Sequence, residues 1–202
     1  IYKKWPEGKY ERKLIEKIWK LLLYTNDINI NQKLITYIDN NNMTLSKSVL
    51  NVYQNFDYKE REIVSNKFFN KWSKNSIVLD SWFAFRAAIE IDNYIENLEN
   101  LFNHKCFDSK SPNTLRSILN SFVSNNRFFH DMEGKGYNYI AIKVIEFDKT
   151  NPIIISRFIK LFSRWDQYVE PYKTNMLNAI RFIDSHDLST NSREVIDLIL
   201  KK

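Results

Sequence analysis

The stretch YNYIAIKVIEFDKT, residues 137–150, decides how the whole chain is read. Its β-branched and aromatic content suits a strand, and a half-buried strand would alternate its apolar side chains strictly. They do not alternate. Tyr137, Ile140, Ala141, Val144, Ile145 and Asp148 step by three and four, which is how one face of a helix recurs. With the most strand-like segment read as helix, little else argues for a sheet. The 202 residues include only 3 glycines and 4 prolines, too few to punctuate a sandwich or barrel at a turn every ~10 residues.

The same period runs outward in both directions. Toward the N-terminus, ERKLIEKIWKLLLY places Leu14, Ile18, Leu21 and Leu22 on one face, and INQKLITYI follows as a short helix. NNMTLSKSVLNVYQNF carries Met43, Leu45, Val49, Val52 and Tyr53, with Asn40–Asn42 and Thr44 as capping candidates. DYKEREIVSNKFFNKW starts at an Asp57 cap, VLDSWFAFRAAIE is apolar on several sides, and DNYIENLENLF ends near His104. A helix then opens at Pro112 with Leu115, Ile118, Leu119 and Phe122 inward. Toward the C-terminus, Asn151 and Pro152 start another helix, and two more close the chain, the last capped by Ser192 or Thr190 ahead of Glu194. About eleven helices with short connections predict an all-α superhelix of stacked antiparallel pairs, armadillo- or HEAT-like. We expect one helical domain over 1–202, with HKCFDSKSPN (104–113) as its weakest point.

Composition narrows the chemistry. A single cysteine, Cys106, rules out an internal disulfide framework and any thiolate-rich zinc site. His104, His130 and His186 are scattered, and no H-E-x-x-H occurs. Neither a G-x-S-x-G elbow nor a phosphate-binding glycine loop is present. Net charge is +6, but positive and negative residues interleave, so no nucleic-acid partner is expected. No apolar run is long enough for a membrane span, and no signal pattern opens the chain; the expected compartment is cytoplasmic. The first residue is isoleucine, so a piece of a longer protein is expected.

Two of the three glycines, Gly134 and Gly136, fall in FFHDMEGKGYNY (128–139), beside His130. Both permit positive φ. Structurally, EGKG would stop one helix and reverse the chain into the next. Functionally, the same turn could border a cavity.

FFHDMEGKGYNYI, followed by DKTNPIIISRFIKLFSRW and preceded by DSKSPNTLRSIL, resembles the C-terminal helical domain of the zinc aminopeptidase N family, in its bacterial-type alanyl aminopeptidase branch. The shared pattern is F-H-x-x-x-G-x-G-Y, then N-P-x-x-x-x-R about twenty residues on. NNMT and LDSWFAFRA also fit, although Arg86 stands where the family's K-W-F-x-x-Q-A segment has glutamine. The resemblance runs in order from about residue 11 to the end.

This resemblance implies the distal part of a larger C-terminal α-superhelix, capping the active-site chamber of a zinc exopeptidase that removes N-terminal amino acids from peptides. The chain itself lacks the zinc motif and the G-A-M-E-N motif, so no catalytic residue, metal ligand or cofactor is expected within it. Zinc is expected in the catalytic domain of the parent, which would be this chain's partner along with the peptide substrate. By the resemblance Arg157 reaches the cavity, Arg116 is a second basic residue on its wall, and Ile153 borders the pocket for the substrate's first side chain. His130 matches the histidine before the turn, with its role open. Ile153 is bulkier and more apolar than the polar residue of some members, which bears on substrate preference. A helix face near residues 14 to 23 would be left open by truncation and favour self-association. The competing reading is a helical-repeat scaffold that binds a protein partner without peptidase activity.

Overall fold

The computed structural model describes residues 5–56 and 58–201. Among them all regular structure is helical. The elements are α1 (Lys9–Leu23), α2 (Ile28–Thr36), α3 (Met43–Val52), α4 (Tyr58–Trp72), α5 (Ser76–Ala87) and α6 (Tyr94–Phe102). Then come α7 (Pro112–Val123), α8 (Asn126–Phe129), α9 (Lys135–Phe147), α10 (Pro152–Ile159), α11 (Tyr172–Asp184) and α12 (Thr190–Leu200). Short 3-10 turns add Tyr37–Asp39, Lys160–Phe162 and Trp165–Gln167. The one α-helix beyond the expected set is α8, a single turn. The strand-like stretch is helical, with Tyr137, Ile140, Ala141, Val144 and Asp148 all buried.

A chain this poor in glycine starts its helices with side-chain oxygens. Asp27, Asn42, Asn75, Ser111 and Ser189 each accept a hydrogen bond from a backbone N–H of the first turn. Pro112 and Pro152 occupy first-turn positions, where no N–H is needed. Two expected caps differ. The α12 cap is Ser189, because Ser192 is buried and turned to Asp148. Asn151 sits at the start of α10 without capping it, because its Nδ2 donates to the Ser109 carbonyl at 2.7 Å. The Asp57 cap lies outside the described residues.

The chain falls into two compact units, Ile1–Asp92 and Asn93–Lys202. In the first, α1 packs on α3 and buries Ile15, Trp19 and Leu23. The face expected to be internal is turned outward, with Leu14 59% and Leu21 70% exposed. Aromatic area decides this: Trp19 stacks on Trp5 at 5.4 Å and meets Tyr37 at 5.7 Å. On the other side of α3, Val64 and Phe68 of α4 are fully buried, and Trp82 of α5 donates to Ser65 Oγ at 3.0 Å.

In the second unit α9 is the central element, packed against α10 and α11, while α10 also packs on α12. Asp148, 1% exposed, closes this core from the end of α9. Its carboxylate accepts from the Ser189 N–H, from Ser189 Oγ at 2.7 Å and from Ser192 Oγ. An anion at the start of α12 also complements the helix dipole.

Candidate functional site

The glycine corner is built by its own residues. Asp131 Oδ1 accepts from the Glu133 N–H at 2.9 Å and the Lys135 N–H at 3.3 Å, folding residues 131–135 into a tight turn. Gly134 sits at φ 76°, left-handed backbone that glycine adopts without strain. Gly136 is needed for space: a Cβ there would lie 2.3 Å from the Phe128 carbonyl oxygen and 2.4 Å from that of Phe129. The corner is held to α11 by Asn175, whose Nδ2 donates to the Met132 carbonyl at 3.0 Å.

His130 is enclosed by rings. Its Nδ1 shares a 2.6 Å hydrogen bond with the Tyr137 hydroxyl, and its ring stacks on Tyr168 at 5.5 Å. Phe129 and Tyr172 meet it edge-on. Burial lowers the His130 pKa, and burial first, then Tyr168 and Tyr172, pushes the Tyr137 hydroxyl up to about 12. The pair is therefore neutral near pH 7, a hydrogen-bonded packing element between the corner and α11. The structure brings His130, Gly134 and Gly136 together in this way.

Arg116 on α7 and Arg157 on α10 are both exposed. Arg116 donates to Asn113 Oδ1 at 2.8 Å. Among the described residues, neither arginine forms an ion pair with a carboxylate. Ile153, 61% exposed, lies one turn before Arg157 on the same side of α10. The Asn151–Ser109 hydrogen bond ties the approach to α7 to the first residue of α10. No hydrogen bond joins Arg116, Arg157, Ile153 and His130 to one another among the described residues. Arg86, at the position where the resemblance has glutamine, is bound to Glu62 at 2.5 Å.

One polar cluster was not anticipated. Lys143, with a side chain only 4% exposed, bridges Glu99 at 2.9 Å and Glu146 at 2.8 Å, with its ammonium 4.5 Å from the centre of the Phe102 ring. Tyr139 donates to the same Glu99 at 2.7 Å, and burial, followed by this bond, raises its pKa. The signal was available: Lys143 sits beside Val144 on a mainly buried helix, where a lysine needs a partner.

The histidines do not form a metal-ligand set. His130 is committed to Tyr137, His104 Nδ1 accepts from the Cys106 N–H at 3.2 Å, and His186 Nδ1 lies 2.8 Å from the Phe182 carbonyl. Among the described residues no three His, Cys, Asp or Glu side chains converge on a metal position. No helix among them is long and apolar enough to cross a membrane.

A family model described as "Domain of unknown function (DUF3458_C) ARM repeats" matches residues 2–201. The chain belongs to that family. Aminopeptidase N of Haemophilus influenzae is 32% identical to the chain over 183 residues, covering 89% of it and 21% of the relative. Aminopeptidase N of Escherichia coli is 30% identical over 141 residues, covering 69% and 16%. Among solved structures, Legionella pneumophila aminopeptidase A, crystallised with aspartic acid, superposes with a TM-score of 0.82 at 25% identity, covering 94% of this chain and 23% of that one. The ARM-repeat domain thus spans about a fifth of the length of these proteins. It is a C-terminal domain of the aminopeptidase N type, as the motifs implied, and its all-α architecture agrees with the ARM-repeat description.

Proposed function

We propose that this ARM-repeat domain walls the active-site chamber of a zinc metallo-aminopeptidase that removes N-terminal amino acids from peptides. In this reading Arg157 and Arg116 meet the carboxylate end of short substrates, Ile153 borders the pocket for the first side chain, and His130 stiffens the wall behind them. The domain's partners are the catalytic domain of the same parent chain and the peptide, in a cytoplasmic enzyme. Aminopeptidase relatives support the reaction class. The observation that carries the site is that Arg116 and Arg157 are both exposed and that no carboxylate of the described residues neutralises them. A guanidinium kept away from internal acids is available for a charge-assisted, two-pronged hydrogen bond to a substrate carboxylate.

Among the described residues no three His, Cys, Asp or Glu side chains converge on a metal position; in this reading the metal and the hydrolytic step belong to the catalytic domain. This domain contributes binding and orientation. A contact made equally in the ground and transition states lowers KM and leaves kcat unchanged. Arg157→Ala in the full-length enzyme is expected to lower kcat/KM for a tripeptide with a free carboxylate about 10-fold, through KM. The C-terminal amide of the same tripeptide should change little. An equal loss on both substrates rules out the carboxylate contact.

A second reading, the helical-repeat interaction scaffold, is favoured by one observation. Tyr10, Leu14, Leu21, Tyr24 and Ile28 form an exposed apolar surface on α1 and at the start of α2. In the isolated 202-residue chain this surface would join two copies. Sedimentation should show a concentration-dependent dimer that Leu14→Glu/Leu21→Glu abolishes; a monomer throughout rejects self-association.

A further inference from the structure

Of the two arginines in the proposed site, Arg116 is held by another side chain: its Nη2 donates to Asn113 Oδ1 at 2.8 Å. Helical side chains lean toward the N-terminus, so Arg116 reaches back along α7 to the residue three positions earlier. The turn that carries Asn113 is firmly built. Pro112 occupies its first position, and Ser111 Oγ accepts from the Thr114 N–H at 3.4 Å and from the Thr114 hydroxyl at 3.0 Å. Just ahead of it, the Ser109 carbonyl accepts from Asn151 Nδ2 at 2.7 Å. Asn113 therefore offers its amide, from a fixed platform, to a long side chain that otherwise samples many rotamers.

The acceptor is uncharged. Elsewhere in the chain cations such as Lys67, Arg86, Lys149 and Arg193 are held by carboxylates, those of Asp39, Glu62, Asp187 and Asp184. A carboxylate orients a guanidinium and neutralises it at once. An amide oxygen orients it, takes up one of its several N–H donors and leaves the charge in place. Stability does not explain the choice. The first turn of α7 carries no acid, although an aspartate in place of Asn113 would both pair with Arg116 and complement the positive end of the helix dipole.

We infer that Asn113 is a positioning residue: it holds the Arg116 guanidinium in one orientation, with its charge intact, for the terminal carboxylate of the peptide substrate. This rests on the reading that Arg116 meets that carboxylate. A two-pronged hydrogen bond requires the planar fork to face its partner. Rotamer freedom lost on binding weakens affinity. Asn113 restricts those rotamers before the substrate arrives, so its effect falls on KM and not on kcat.

The test uses the full-length enzyme on trialanine and on its C-terminal amide. Arg116→Ala should raise KM for trialanine about 10-fold and leave the amide unchanged; an equal effect on both, or none on either, rejects the underlying reading by itself. Asn113→Ala should raise KM for trialanine about 3-fold at unchanged kcat, with the amide unaffected. Added to Arg116→Ala, it should change nothing more. A further rise in that background, or an unchanged KM in the single variant, overturns the positioning role. Asn113→Asp keeps an acceptor in the same place and suits the start of a helix, so its thermal stability should match or exceed that of the wild type. Its KM for trialanine should still rise about 5-fold, because the guanidinium is then paired. A wild-type KM in Asn113→Asp overturns the inference, since neutrality would then not be what the position supplies.

Discussion

Within the 93–202 unit, charge is handled in two opposite ways. Lys143 and Asp148 are nearly out of solvent, and each has several partners inside the fold: two carboxylates and a ring for Lys143, a backbone N–H and two hydroxyls for Asp148. Arg116 and Arg157 belong to the same unit, on α7 and α10, yet stand in solvent with no carboxylate partner among the described residues. Burying a charge demands compensation, so charges of the first kind are consumed by structure. Charges of the second kind cost the fold little and remain available to another molecule. The difference separates charges committed to the fold from charges left open to solvent.

That contrast can be broken by mutation. The largest effect is expected from the packed side. Asp148→Ala strips Ser189 and Ser192 of their acceptor and the α12 N-terminus of its anion, and should lower the stability of the second unit by about 3–5 kcal/mol in urea unfolding. Gly136→Ala should cost about 3 kcal/mol, because a backbone oxygen 2.3 Å from the new Cβ cannot yield without moving α8. Gly134→Ala is milder, about 1–2 kcal/mol for a left-handed alanine, since the atoms it would meet belong to the Asn175 side chain. On the open side, Arg157→Ala should change stability by less than about 0.5 kcal/mol while altering substrate handling. A large loss of stability there would erase the distinction.

The smallest effect is pH-dependent. Burial holds the folded His130 pKa below its ordinary 6.5. The unfolded chain therefore binds the proton first, and stability falls as pH drops from about 6.5 toward the folded value. His104 is shifted the same way, by burial and then by Lys105. Urea midpoints between pH 7 and 5 should decline in the wild type and decline less in His130→Phe. An unchanged slope would place His130 outside the buried cluster.

Much of the fold was legible because helices announce themselves locally. Step-three-and-four spacing identified α9 despite its strand-like composition, and of the caps expected from short polar residues Asn42 holds, whereas Asn151 and Ser192 or Thr190 do not. The misreadings came where two local solutions compete. On α1 both Leu14–Ile18–Leu21 and Ile15–Trp19–Leu23 make a plausible stripe, and Trp5, a residue outside the helix, settles the choice by stacking on Trp19. At α12 three hydroxyl residues could cap, and Asp148, forty residues upstream, selects Ser189 by drawing Ser192 into the core. Of the candidate site, the arginines and the glycine corner were visible as motifs. The Lys143–Glu99–Tyr139 cluster was not visible as a motif, because Glu99 lies forty residues from Tyr139 and forty-four from Lys143, although a lysine on a mainly buried helix called for some partner.

By itself the sequence determined the helical class, the position of nearly every helix and the motifs that place the chain among C-terminal aminopeptidase domains. Periodicity, caps and turns are set by residues within a few positions of one another, so they survive without a three-dimensional context. Only the tertiary structure decided which face of α1 is core, which serine caps α12, and which charges are spent inside the fold. Those outcomes depend on burial and on partners remote in the chain, and desolvation is a property of the assembled packing that no short stretch of sequence carries.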